Sequence, residues 1–382
     1  MGRSNSFYGK TESQIVAGIA ILLMIWHHLF TYQNWLIDEV NVSSPLGRYA
    51  NYLSWLIGWL GNICIYIFAF QSGYSLLACS HLYDTSKKRF SRIISFLISY
   101  WLICIFFWIF GLLFNEPLPS LKNALLNMIG IEVGFYSKWI NVTFAWYVLY
   151  YVLLITISPV LNKCFQFKKP AIITLTLISC ICFLIMLSFC GIKEYWEPFM
   201  SSIAGMLTAK YKLFEYINQK RYLNKIWISM IMLIAILFIR SILLYTGTIY
   251  PNNPLFLVTE SMGEGIIAFM FVFFFLSFIK GINSQRLSYL FCFFGSISMP
   301  LWFLHSILFT GSRFLQHYVY FAKDPILIYI ITLLLFIPPS MIFNKLLKYL
   351  GKNLYPNTTQ FKEIILLGYN KVRDYCKVSN NQ

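Results

Sequence analysis

Four ionisable side chains stand inside long apolar runs, where such groups are expensive and are functional candidates by default. His27 and His28 adjoin in the run 17–30, His305 lies in 298–309, and Glu264 lies in 261–267. An imidazole takes up and returns a proton near neutral pH, which suits it to act as general base toward a hydroxyl. Neighbours on a helix point about 100° apart, so His27 and His28 cannot face one site equally. His28 is the candidate base, with His27 or His305 orienting it or its acceptor. A carboxylate at Glu264 needs a partner, and a histidine is one candidate. Arg240, a further charge within an apolar run, reads as snorkelling from the outer end of its helix. No metal site is expected, because no HxxxH or HExxH spacing occurs and no cysteine pair has CxxC spacing. Outside the apolar runs, Lys88, Arg89 and Arg92 form the densest basic group. Arg89 and Arg92 are three apart and share a helix face, and guanidinium forks suit phosphate oxygens. A cytoplasmic phosphorylated donor such as a coenzyme A thioester fits that clamp. Ser72 offers a hydroxyl as a possible oxyanion donor, although Ser72-Gly73 more simply serves close helix packing through small residues.

The elements that position these groups follow from composition. Of 382 residues, 58% are hydrophobic and only 12% charged, against about a quarter charged in an ordinary globular domain. A water-soluble, disordered or collagen-like chain is excluded. So is a transmembrane barrel, which would show alternating segments rather than continuous apolar runs. The reading is an all-α polytopic integral membrane protein with about ten transmembrane helices. The expected spans are 14–32, 53–79, 93–114, 140–161, 170–190, 196–209, 226–246, 255–279, 290–312 and 326–344. The stretch 118–136 is too polar to span and is expected along the membrane surface. With the N-terminus inside, inner segments carry 23 of the 30 Lys and Arg residues and outer segments carry six, so both termini are expected in the cytoplasm. The first span has basic residues before it but no cleavage site after it, and reads as a permanent helix. The net charge of +16 lies in short links, facing anionic lipid rather than nucleic acid. Residues 1–344 form a single membrane domain and 345–382 a basic cytoplasmic tail.

Six segments, in order, resemble the membrane acyltransferase-3 family. Residues 18–30 (GIAILLMIWHHLF) resemble its first-helix motif, a basic residue followed eleven positions later by histidine; here His28 is present and Ala17 stands in the basic position. Residues 68–74 (FAFQSGY) resemble its second-helix segment, and 88–93 (KRFSRI) the basic run opening its third helix. Residues 146–154 (WYVLYYVLL), closed by Ser158-Pro159, resemble its Trp-Tyr-Leu helix, and 198–207 (PFMSSIAGML) its Phe-x-x-Gly-Met helix. Residues 296–305 (SISMPLWFLH) resemble a late segment that ends in histidine. The resemblance implies a multi-pass enzyme of the inner or plasma membrane. Such an enzyme moves an acyl group, usually acetyl from cytoplasmic acetyl-CoA, onto a hydroxyl of an envelope or exported polysaccharide. It implies acyl-CoA as donor substrate with no bound cofactor, and a glycan or lipid-linked saccharide as acceptor. A membrane transporter or flippase of a glycan or small solute is the alternative from a different class.

Overall fold

The computed structural model describes residues 7–31, 48–80, 85–131, 142, 146–166, 198–220, 225–249, 254–309 and 313–349. Among the described residues there is no strand. Hydrocarbon offers a backbone N–H or C=O no partner, so each spanning segment closes its hydrogen bonds within itself. In chain order the helices are α1 (Lys10–Thr31), α2 (Arg48–Gly61), α3 (Ile63–Ala78), α4 (Ser86–Leu113), α5 (Leu121–Met128), α6 (Trp146–Gln166) and α7 (Phe199–Tyr211). They continue with α8 (Leu213–Asn218), α9 (Ile226–Ile249), α10 (Pro254–Ile282), α11 (Gln285–Ser296), α12 (Ser298–His305), α13 (Arg313–Tyr320) and α14 (Pro325–Tyr349).

Seven spans among the described residues are long and apolar enough to cross a membrane, with α2 and α3 counted as one; the bent pair α11–α12, with a 60° break, makes an eighth. The polytopic all-α reading therefore holds, with differences in detail. The expected span 196–209 is α7, only 13 residues long. At about 1.5 Å per residue it covers about 20 Å, short of a hydrocarbon core of about 30 Å. The expected span 290–312 is broken rather than straight. The expected span 170–190 lies outside the described residues; of the expected tail 345–382, residues 345–349 continue α14 and the rest lies outside the described residues. The polar stretch 118–136 contains the short helix α5, with part of it outside the described residues.

The breaks have identifiable causes. Pro300, in the first turn of α12, has no N–H to give the Ser296 carbonyl. Asn344 Nδ2 on α14 donates to that carbonyl instead, at 3.0 Å. Pro159 inside α6 likewise frees the Ile155 carbonyl, and the Ser158 hydroxyl one residue earlier donates to it at 2.7 Å. In both cases a side chain restores the partner that lipid cannot supply.

The centre of the bundle is α1, packed against α2, α3, α11 and α12; α10 packs against α3, α7 and α9. Two crossings are backbone to backbone. A Cβ added to Gly73 of α3 would lie 1.9 Å from the Ser202 carbonyl oxygen of α7, and one added to Gly205 of α7 would lie 2.1 Å from the Phe70 oxygen of α3. Gly18 of α1 and Gly295 of α11 meet in the same reciprocal way, each 2.0 Å from a carbonyl oxygen of the other helix. Small residues permit this approach, and dispersion and close polar contacts then hold helices that lipid has no tendency to drive together. At the periphery, Ile231, Ile234, Phe238 and Ile242 of α9 are exposed, as are Ile105, Ile109 and Leu112 of α4. Such apolar stripes fit lipid, not water.

Candidate active site

His28 and His305 meet in the interior, 3% and 0% exposed. His28 Nδ1 lies 2.7 Å from His305 Nε2. The ring planes differ by 13° and the centroids are 5.0 Å apart, so the rings join edge to edge with the hydrogen bond in both planes. The tautomers follow from the partners. His305 Nδ1 lies 3.0 Å from the Leu301 carbonyl oxygen one turn earlier. A carbonyl only accepts, so His305 Nδ1 carries the proton and the neutral ring accepts at Nε2. His28 must then donate from Nδ1, and its lone pair is at Nε2. The direction of the chain is thus His28 Nδ1–H to His305 Nε2, and His305 Nδ1–H to Leu301. This leaves His28 with the nitrogen a base needs, held in one tautomer by a second ring. Phe309 packs against both imidazoles, with centroids 5.9 Å and 6.0 Å away.

The bend in α11–α12 positions His305. Residues Pro300 to His305 of α12 are all buried, so the break turns this short helix into the bundle. Trp302 packs on Phe68 of α3 and Tyr147 of α6, while Phe303 packs on Tyr100 of α4. On the far side, the Tyr320 hydroxyl of α13 donates to the Leu29 carbonyl at 3.3 Å, tying α13 to the turn of α1 that carries His28.

His27 faces another way, as the helical offset requires. Its Nδ1 is 2.7 Å from the Gly58 carbonyl oxygen and 3.1 Å from Thr31 Oγ1, so Nδ1 carries the proton and donates to Gly58. Beside it lies a second buried polar group. Arg240 of α9 and Glu264 of α10 are both fully buried, with Nε 2.9 Å and 3.0 Å from the two carboxylate oxygens. Arg240 Nη1 donates to the Leu60 carbonyl at 2.7 Å and reaches the Trp59 carbonyl at 3.4 Å. The guanidinium carbon lies 5.9 Å from the Tyr66 ring centroid. Two expectations change here. Arg240 does not snorkel; it points inward, because an opposite charge and the open carbonyls at the end of α2 outweigh its hydration. Glu264 pairs with this arginine rather than with a histidine.

The basic group lies elsewhere. Thr85 caps the start of α4, its side chain accepting from the Lys88 N–H. Lys88 and Arg92 are exposed and Arg89 is partly buried. Arg89 Nη2 donates to Ser86 at 3.0 Å, and Arg92 Nε makes a long 3.5 Å contact with Tyr151 of α6. The positive end of the helix dipole and three cations thus share the first turns of α4, called below the α4 mouth. The structure does not gather them with the imidazoles. Arg92 is eight residues before Tyr100, the ring that packs on Phe303, or about 12 Å along the helix. The Ser72 hydroxyl donates to the Phe68 carbonyl of its own helix at 2.9 Å, directly beside the Gly73 crossing.

The structure is thus a multi-helix membrane bundle that buries a directional imidazole pair and carries a basic group at the start of α4. The comparison with known families gives it its place. The acyltransferase-3 family, described as an acyltransferase domain, matches residues 15–345, and the chain belongs to that family. It is a membrane acyltransferase. No curated protein and no solved structure matches the chain.

Proposed function

We propose that this acyltransferase moves an acetyl group from cytoplasmic acetyl-CoA to a hydroxyl of a cell-envelope or exported polysaccharide, from a plasma-membrane position with its N-terminus in the cytoplasm. The observation that carries the reading is the hydrogen-bonded chain from His28 through His305 to the Leu301 carbonyl, inside a family defined by acyl transfer.

In this mechanism the acceptor hydroxyl gives its proton to His28 Nε2 as its oxygen attacks the thioester carbonyl. The imidazolium is stabilised through Nδ1–H by His305, which in turn is held by Leu301. Collapse of the tetrahedral intermediate breaks the C–S bond, and the proton on His28 returns to the departing sulfur. The products are the ester and coenzyme A. Lys88, Arg89 and Arg92 hold the coenzyme A phosphates at the mouth of the bundle, so the donor's flexible arm must reach inward from there. Glu264 acts through Arg240 and not on the reacting atoms. The basic charge that Ala17 lacks is supplied from the α4 mouth.

The test is mass analysis of cell-surface glycans from cells with the wild-type chain, with His28→Ala, and with no chain. Acetyl groups present only with the wild type support the reading. Full acetylation with His28→Ala at equal membrane levels removes His28 as the base. Glycans identical in all three remove polysaccharide as the acceptor.

A further inference from the structure

Resting on the assignment of His28 as the base, we infer that the Arg240–Glu264 pair is a positioning device for the imidazole site, acting through the broken end of α2. Three successive carbonyls close α2: those of Gly58, Trp59 and Leu60. A helix end leaves its last carbonyls short of intrahelical partners; at Asn62, where α2 passes into α3, the Trp59 carbonyl also accepts the Asn62 N–H at 3.4 Å. Two side chains from two other helices take those carbonyls. His27 of α1 donates to Gly58 at 2.7 Å, and Arg240 of α9 donates to Leu60 at 2.7 Å while reaching Trp59 at 3.4 Å. Gly61 lets α1 lie against this turn, since an added Cβ would sit 2.8 Å from the Leu23 carbonyl oxygen and 3.3 Å from His27 Cβ.

The consequence for the site is rotational. His27 and His28 are adjacent on α1, so the bond that pins His27 to Gly58 also fixes the rotation of α1 about its axis. That rotation is what points His28 at His305. Arg240 fixes the carbonyl row from the opposite side, and Glu264 holds Arg240. Neither residue touches the imidazole pair; each acts through the α2 backbone that holds His27, the neighbour of His28.

A purely stabilising ion pair predicts a different outcome from a positioning one. Replacing a buried pair by apolar side chains of similar volume is often neutral or stabilising, so Arg240→Met with Glu264→Met keeps the fold while removing the donors to Trp59 and Leu60. The experiment uses the full chain in lipid nanodiscs, with radiolabelled acetyl-CoA and isolated envelope as acceptor, alongside His28→Ala and Arg240→Lys. A second readout is the nitrogen NMR spectrum of histidine-labelled protein, in which His27→Asn assigns the His27 signal. The double variant is expected to keep its melting temperature within a few degrees and its KM for acetyl-CoA. Its turnover falls at least tenfold, and its His27 Nδ1 signal shifts. Arg240→Lys, which keeps a donor and the charge, restores part of the turnover. Wild-type turnover in a folded double variant overturns the inference, as does an unmoved His27 signal. Transfer surviving in His28→Ala overturns the base assignment instead, and the His27 signal still decides whether Arg240 sets the geometry of the α2 end.

Discussion

Two buried polar pairs lie in the bundle interior, one holding His28 and the other beside its neighbour His27, and they are built on opposite principles. His28–His305 is a pair of rings whose single shared proton has a direction, given by the Leu301 carbonyl. Arg240–Glu264 is a pair of opposite full charges in contact, with Arg240 also donating to carbonyls at the end of α2. Burial alone therefore does not mark a reacting group in this bundle. What distinguishes the two is their chemistry: one is a directional bond between two neutral rings, the other a contact between opposite full charges.

That contrast can be broken by substitution. The largest effect is expected at His28: His28→Ala should lower transfer by about 10²- to 10⁴-fold, the usual contribution of a general base, with membrane levels unchanged by immunoblot. A fall of less than tenfold would erase the functional difference between the pairs. Next, Glu264→Ala leaves Arg240 buried without its counter-charge, a loss of about 3–5 kcal/mol, read as a lower melting temperature in detergent and reduced folded yield. A stable Glu264→Ala would mean that water already compensates the arginine. His305→Phe keeps the ring but removes the acceptor for His28, and turnover should fall about tenfold to a hundredfold with stability kept. If stability fell and turnover did not, the imidazoles would belong with the ion pair as structure. Smallest, Arg89→Ala with Arg92→Ala should raise the apparent KM for acetyl-CoA about three- to tenfold, the scale of exposed charge contacts, and leave that for the acceptor unchanged. Equal effects on both would remove the donor role of the α4 mouth.

Much of this was legible in the sequence. Apolar length alone placed most spans, because a bilayer fixes how many residues a helix needs. Hydropathy makes the 13-residue α7 read as a span, because the apolar residues that precede it, outside the described residues, blend into it. The bend before α12 was signalled by Pro300 but read as continuous, since hydropathy does not see a missing N–H. His28, His305 and Glu264 stood out because each is costly in hydrocarbon. Their partners did not, for a pairing between residues 28 and 305 depends on how helices pack. Arg240 had a readable signal that was set aside: an opposite charge on the next apolar run. It lies 14 residues into a 24-residue helix, about 21 Å from one end and 14 Å from the other, a poor position from which to reach either surface.

The two reciprocal glycine crossings divide the bundle mechanically. Where main chain rests on main chain, at α3 with α7 and at α1 with α11, nothing can slide without collision, and that flank is rigid scaffolding. The flank between the α4 mouth and the imidazoles is stacked instead with the rings of Tyr100, Phe303, Trp302 and Tyr147. Rings can swing about two bonds while their backbones stay still. Whatever yields in this bundle can therefore do so at the rings of that flank without moving the main chain.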